Sequence, residues 1–215
     1  MALKLSKKMK PIIFNNINCV IFDFASTLCS ELYFKELGAE SESRITELIF
    51  RGDNITKWAD PWMSGELTSK DICKYLSENL PFSSDDIYSA LCLGCSDLVM
   101  NQEVYSFAEA MANSDKRTAF VTINTDIFSK IVVPQNGLDS LFDIIVNSVD
   151  RHERDKTKLL QYAMNLSGSN ITYGTSLLID DSSIVEWFEK QGGYFHKYTN
   201  DNSFVEWMKV NLKGV

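Results

Sequence analysis

The sequence contains little glycine and proline, few cysteines and no long apolar run. With 10 Gly and 4 Pro among 215 residues, it lacks the composition of collagen-like or low-complexity chains. No stretch approaches the roughly 20 consecutive apolar residues that span a bilayer, and asparagines interrupt the apolar segment that follows the lysine-rich start. A hydrophobic fraction of 45% is enough to build a buried core. We therefore expect an ordinary globular protein that is cytoplasmic and has no membrane partner.

Basic residues are in the minority. The chain carries 21 Lys and Arg against 29 Asp and Glu, which gives a formal net charge of −8. Because a surface that binds nucleic acid is usually basic, this balance predicts that nucleic acid is not a partner.

The five cysteines are an odd number, in a chain large enough to fold without disulfides. We expect reduced thiols. Cys92 and Cys95 have the spacing of a redox site or half a zinc site, but zinc needs two further ligands. Two half-buried cysteines on a helix are the favoured interpretation.

Alternating strand and helix patterns predict an α/β fold. Five short apolar runs read as buried parallel strands, at 17–22, 118–123, 144–146, 176–179 and 194–198. Apolar residues spaced by three and four predict helices at 104–111, 127–133, 158–164 and 184–190. Strands joined through helices form a three-layer, Rossmann-like parallel sheet core.

Residues 30–100 break this alternation, because they contain helical patterns alone. These patterns cover 31–37, 42–50, 69–78 and 85–100. We expect an inserted helical cap over residues 30–100, with the core formed by 1–29 and 101–215.

Polar residues follow three of the predicted strands. Asp23 follows the first strand, Thr122 and Asn124 close the second, and Asp180 and Asp181 close the fourth. Lys156 lies between the third and fourth strands. Ligands of open α/β sheets bind at the carboxyl ends of the strands, so these side chains are candidates for one site.

These residues resemble, in order, the four motifs of the haloacid dehalogenase-like hydrolase superfamily, over about residues 17–198. The first motif of that family is Asp-x-Asp-x-Thr-Leu. Here it reads Asp23-Phe24-Ala25-Ser26-Thr27-Leu28, which looks most like phosphoserine phosphatases with the second aspartate replaced by Ala25. The family inserts its helical cap between the first and second motifs, where 30–100 lies.

The resemblance implies a phosphatase-type hydrolase that acts on a small phosphorylated metabolite. Asp23 would attack phosphorus and form an aspartyl-phosphate, which divides one difficult hydrolysis into two displacements. Thr122 would bind a phosphoryl oxygen, and Lys156 would neutralise charge. Mg²⁺ would be held by Asp23, Asp180, Asp181 and the backbone carbonyl of Ala25, and substrate would contact Ser26, Thr27 and Asn124.

Several assignments have alternatives at this stage. Thr125 competes with Thr122, and Lys158 or Arg154 competes with Lys156. Asp23 could be only a helix cap, and so could Asp180 and Asp181. However, two adjacent carboxylates repel each other unless a cation lies between them. His152 lies near Lys156 and would be incidental as a loop histidine.

Ala25 departs from the phosphatase pattern, since the aspartate it replaces protonates the leaving group. One explanation is slow phosphatase activity with the metal retained, and another is binding of a phosphorylated ligand without turnover. A third is an alanine introduced to trap a complex. The phosphonate-cleaving branch also has alanine here but needs a cap lysine, for which Lys35 and Lys57 are available.

The cap is expected to select the substrate. Trp58, Trp62 and Met63 could line the site, although aromatic residues at this spacing more often form a cap core. The dehalogenase branch would need a cap arginine, either Arg44 or Arg51. The metal-binding form of the fourth motif, Asp180-Asp181, argues against that branch.

Overall fold

The computed structural model describes residues 14–31 and 33–212. The expected basic N-terminal segment lies outside the described residues.

The core is a five-stranded sheet in which every neighbouring pair of strands is parallel. The strands are β1 (Cys19–Phe22), β2 (Arg117–Thr122), β3 (Ile144–Asn147), β4 (Ser176–Asp180) and β5 (Tyr194–Lys197), in the order β3-β2-β1-β4-β5. Strands β1 and β4 are buried along their whole length, as expected of a sheet covered on both faces. Because β1 is central, the residue that follows it stands in the middle of the carboxyl edge.

Eleven α-helices connect and cover these strands within the described ranges. They are α1 (Ala39–Phe50), α2 (Asp60–Ser64), α3 (Ser69–Ser77), α4 (Ser84–Ser96), α5 (Gln102–Ala112), α6 (Val133–Gln135), α7 (Leu138–Leu141), α8 (Ser148–Arg151), α9 (Lys156–Leu166), α10 (Ile184–Lys190) and α11 (Asp201–Asn211). Two π-helical turns, Ile55–Ala59 and Phe128–Val132, lead directly into α2 and α6. Short 3₁₀ turns cover Phe14–Asn16, Lys35–Leu37 and Tyr173–Thr175. No helix in the described part of the chain has the length and apolar character needed to cross a membrane.

Alternate residues of the strands face opposite layers. On β1, Val20 and Phe22 join a hydrophobic cluster with α5 and α11, whereas Cys19 and Ile21 join a second cluster with α9 and α10. Helices therefore pack on both faces of the sheet. The three-layer α/β fold that the sequence predicts is confirmed.

The chain between β1 and β2 is helical and shares its core with the sheet. Buried side chains of these helices, such as Ile45, Trp62 and Leu91, belong to the same continuous cluster as Phe22 and Phe120 of the strands. The helical segment is therefore packed onto the sheet through apolar contacts. Its division from the core at residues 30 and 100 stays a prediction.

Two predicted helices are wrong in extent. The segment predicted as a helix over 31–37 contains only the 3₁₀ turn Lys35–Leu37 among its described residues, and Gly38 ends it with a φ of 82°. Helix α4 ends at Ser96 rather than at residue 100, because Met100 leaves it to form a bridge with Cys29.

One long helix was not predicted. Helix α11 begins after Asn200, whose side chain accepts a hydrogen bond from the backbone N–H of Ser203. Phe204 and Trp207 are its buried residues, three positions apart. This cap and this spacing are a recognisable helix signal.

Candidate active site

Two aspartates stand side by side at the carboxyl edge of the sheet. Asp23 directly follows β1, and its backbone N–H donates to the carbonyl of Ile179 at 3.0 Å. Asp180 is the last residue of β4, the strand next to β1. Asp23 is 6% exposed and Asp180 is fully buried, so both carboxylates need partners inside the protein.

Lys156 supplies the partner for both. It is the first residue of α9, which begins where the carboxylate of Asp155 accepts a hydrogen bond from the N–H of Thr157. Lys156 Nζ lies 2.7 Å from Asp23 Oδ1 and 2.8 Å from Asp180 Oδ2. Its side chain is only 10% exposed. The ammonium group therefore bridges two buried carboxylates.

Burial and like charge both act on these groups. Burial raises the pKa of Asp23 to about 6; Lys156 opposes this shift and Asp180 adds to it. Burial opposes the charged form of Lys156, but Asp23 and Asp180 outweigh it and raise the pKa of that ammonium. The pKa of Asp181 is also raised, by burial and then by the charge of Asp180. One lysine does not fully compensate three carboxylates.

The three aspartates form a donor set suited to a hard cation. Asp23, Asp180 and Asp181 each place a carboxylate oxygen within 4.8 Å of the others. No other cluster of this kind occurs in residues 14–31 and 33–212. Ser182 orients Asp180, since its N–H and hydroxyl donate to Asp180 Oδ1 at 2.8 and 2.6 Å. Oxygen donors with excess negative charge fit Mg²⁺.

Three threonine hydroxyls near the strand ends are buried without a hydrogen-bond partner in the described structure. They belong to Thr27, Thr122 and Thr125. Thr122 ends β2 and is fully buried. A buried hydroxyl without a partner is unfavourable for folding and is therefore often satisfied by a bound ligand or water.

Two cavities open at this edge. The first, of about 390 Å³, is lined by Asp23, Ala25, Ile123, Lys156, Ser182, Ser183, Ile184 and Trp187. Thr122 is not among its lining residues. The second, of about 300 Å³, lies between the sheet edge and the helices that follow β1. Both cavities have Ala25 and Ile123 in their walls.

Two of the three remaining predicted substrate contacts line the second cavity. Ser26, with a φ of 59°, and Asn124 line it. The side-chain oxygen of Asn124 accepts hydrogen bonds from the hydroxyl of Tyr33 and the N–H of Thr125. Thr27 is fully buried and lines neither cavity.

The alternative basic residues lie elsewhere. Lys158 pairs with Glu153 at 2.8 Å and is 62% exposed, and Arg154 pairs with Asp60 at 2.7 Å. Arg44 and Arg51 are exposed on or beside α1, and Arg51 pairs with Glu47. None of these four lines either cavity.

The available cap lysines are also outside the cavities. Lys35 pairs with Glu31 at 2.8 Å, and Lys57 is exposed beside the ring of Trp58. Trp62 and Met63 do line the second cavity, whereas Trp58 stacks on Tyr75 with ring centroids 3.8 Å apart.

Cys92 and Cys95 do not belong to any metal cluster among the described residues. Both lie on α4; Cys92 is half-buried and Cys95 fully buried, with free thiols. His152 is exposed, and its Nδ1 lies 2.9 Å from the carbonyl of Ser64.

Several contributing residues carry little sequence signal of their own. Ser182 orients Asp180, and Trp187 lines the first cavity from α10. Asp126 accepts hydrogen bonds from Trp62 and Ser69, which are 64 and 57 positions away. A serine directly after Asp180-Asp181 was the only local hint, since such a serine often donates to a nearby carboxylate.

Solved structures of haloacid dehalogenase-like (HAD) enzymes share the fold of this chain, and the likeness is one of fold alone. A HAD family enzyme from Bacteroides thetaiotaomicron, in complex with magnesium and inorganic phosphate, superposes with a TM-score of 0.61 at 16% identity, covering 85% of this chain and 94% of that one. A predicted HAD-like family hydrolase from Porphyromonas gingivalis superposes with a TM-score of 0.65 at 17% identity. The match covers 93% of this chain and 99% of that one.

A third similar structure is the L-2-haloacid dehalogenase from Xanthobacter autotrophicus. Its TM-score is 0.55 at 13% identity, covering 83% of this chain and 75% of that one. No protein-family model matches the sequence, and no curated protein does.

Proposed function

We propose that this protein is a magnesium-dependent, phosphatase-type hydrolase that acts on a small phosphorylated metabolite through Asp23. The observation that carries the proposal is the buried bridge from Lys156 Nζ to Asp23 at 2.7 Å and to Asp180 at 2.8 Å. A buried carboxylate that lines a cavity can attack an anionic electrophile when a buried ammonium beside it offsets the repulsion between the two negative charges.

In the proposed reaction, a carboxylate oxygen of Asp23 attacks phosphorus while the bond from phosphorus to the leaving-group oxygen breaks. Water then attacks phosphorus, the bond to the Asp23 oxygen breaks, and phosphate and the free carboxylate are released. Lys156 lowers the repulsion between the carboxylate and the phosphoryl group, since it lies 2.7 Å from Asp23.

The donor set supports a magnesium ion at this site. Asp23, Asp180, Asp181 and the backbone carbonyl of Ala25 would hold it. When bound, Mg²⁺ offsets the negative charge of the carboxylates and of the phosphoryl oxygens. The magnesium and phosphate complex of the Bacteroides enzyme is consistent with this assignment.

The orphaned hydroxyl of Thr122 is proposed to bind a phosphoryl oxygen. Ser26, Thr27 and Asn124 are proposed to contact the substrate on the side of the helical segment. Residues 30–100 are proposed to act as a cap over a core formed by 1–29 and 101–215.

Ala25 determines how fast the proposed reaction runs. It lies in the wall of the cavity that contains Asp23, and its methyl group cannot donate a proton to the leaving oxygen. That oxygen must then take its proton from water, which favours substrates whose leaving groups are weakly basic.

A second candidate, binding of a phosphorylated ligand without turnover, is favoured by the same alanine.

Two other chemistries have less support. Among the described residues, no arginine lines either cavity, as the dehalogenase alternative would require, and neither Lys35 nor Lys57 lines one, as phosphonate cleavage would require.

The proposal is tested by turnover of an aryl phosphate with Mg²⁺. We expect slow turnover by the unaltered protein and its loss in Asp23→Asn, while the exposed-site control Asp53→Asn retains it. Ala25→Asp should raise kcat by about 10²–10⁴-fold, the usual contribution of general acid-base help.

Phosphate binding without turnover, even in Ala25→Asp, would favour the silent ligand-binding protein. Turnover that persists in Asp23→Asn would exclude Asp23 as the nucleophile.

A further inference from the structure

We propose that the second cavity selects a leaving group that carries an organic ammonium cation, so that the substrate is a phosphate ester of a small amino or quaternary ammonium alcohol. This inference rests on the proposed function, because the phosphoryl group at Asp23 would fix which end of the substrate enters this cavity.

The position of the cavity supports this role. Ala25 and Ile123 line both cavities, so the second one begins beside the site that contains Asp23 and Lys156. Its volume of about 300 Å³ lies at the small end of ligand sites, which suits a compact leaving group.

The walls are mostly apolar and aromatic. Phe34 and Trp62 are buried, with ring centroids 6.4 Å apart, and the ring centroid of Phe50 also lies 6.4 Å from that of Trp62. Tyr33 adds a fourth ring. Aromatic rings attract organic cations through their negative faces, most strongly where water is excluded.

The charge of the cavity lining favours a cationic occupant over a neutral one. The cavity is lined by two carboxylates, Glu31 and Glu42, and its described lining contains no lysine, arginine or histidine. Glu31 is neutralised by Lys35 at 2.8 Å. Glu42, half-buried on α1, forms no ion pair with any described basic residue. One uncompensated negative charge therefore faces an aromatic cavity.

The same charge disfavours anionic leaving groups. A carboxylate next to Glu42 would be repelled, with no basic group in the described lining to offset it. We therefore expect discrimination against phosphate esters of hydroxy acids and against haloacids.

The test compares two esters of the same shape. O-Phosphocholine and 3,3-dimethylbutyl phosphate differ by exchange of the quaternary nitrogen for carbon. With Mg²⁺ present, we expect the protein to favour the ammonium ester by about tenfold, in kcat/KM and in the Kd measured by calorimetry. Glu42→Gln should reduce this ratio to near one, and Glu47→Gln, exposed on the same helix, should retain it.

Equal or better use of the neutral ester, an unchanged ratio in Glu42→Gln, or binding of neither ester would overturn the inference. Failure of the proposed function gives a different result. In that case aryl phosphate is not hydrolysed, yet the difference in Kd between the two esters persists.

Discussion

At the scale of single residues, we expect the buried hydroxyl of Thr122 to couple folding to ligand binding. Its hydroxyl is fully buried and has no partner in the described structure, although a valine would fill the same volume without a polar atom. Such a group destabilises the free protein and becomes useful when a ligand oxygen reaches it.

We therefore predict that Thr122→Val stabilises the unliganded protein by about 1 kcal/mol and lowers kcat/KM by about 10²-fold. Chemical denaturation and aryl phosphate turnover measure the two effects. Destabilisation together with full activity would show that the hydroxyl has a structural role instead.

The comparison of sequence and structure is clearest at this scale. Asp23 and Asp180 could be predicted to meet, because each stands at the carboxyl end of a strand in an alternating pattern. Lys156 lies between the third and fourth strands, and the family resemblance placed it with them. The sequence favoured Lys156 but left Lys158 as an alternative, because both lysines lie in one helical turn. The difference arises from burial: the side chain of Lys156 is 10% exposed, and that of Lys158 is 62% exposed.

At the scale of elements, polar contacts join the helical segment to the sheet. Asp126, just beyond β2, accepts hydrogen bonds from Trp62 Nε1 at 3.1 Å and from the N–H of Ser69 at 3.0 Å, and it pairs with Lys130. Burial opposes its charge, but hydrogen bonds from Ser69, Lys130 and Trp62 hold the pKa of this carboxyl below its usual value.

Removal of this acceptor should loosen the segment. We predict that Asp126→Ala lowers the free energy of unfolding by about 2 to 4 kcal/mol, since buried donors lose a charged partner. Asp53→Ala, at an exposed position, is the control. Equal unfolding midpoints for the two variants would contradict the prediction.

Helices and strands were predicted well where the apolar periodicity was strong. They were predicted poorly where contacts between residues distant in sequence determine where an element ends. All five strands were predicted, because each is an apolar run between polar residues. The end of α4 was predicted wrongly because Met100 forms a β-bridge with Cys29, 71 positions away, and the helix ends before that bridge. No local pattern encodes that pairing.

At the scale of the whole molecule, stability should depend on pH through His196. This residue on β5 is 7% exposed against Phe204 and Trp207, and burial lowers its pKa from 6.5 to about 4. Between these values the unfolded chain binds a proton that the folded chain does not. The contribution of His196 to stability is therefore full above pH 6.5 and is lost as the pH falls towards 4.

We predict that this one group accounts for a loss on the order of 2 to 3 kcal/mol across that interval. In His196→Phe, the decrease in the free energy of unfolding between pH 6.5 and pH 4 should be smaller by this amount. Chemical denaturation at each pH measures it. Parallel curves for the two proteins would exclude His196 as the source.

The continuous cluster that joins the helical segment to the sheet also limits how this protein can change its specificity. Phe34, Ile45 and Trp62 line the second cavity and are at the same time buried members of that cluster. Any substitution that enlarges the cavity through them leaves a void that costs about 2–5 kcal/mol. New specificities should therefore evolve through half-buried wall positions such as Glu42 and Thr46, where a change of substrate leaves the folded state intact.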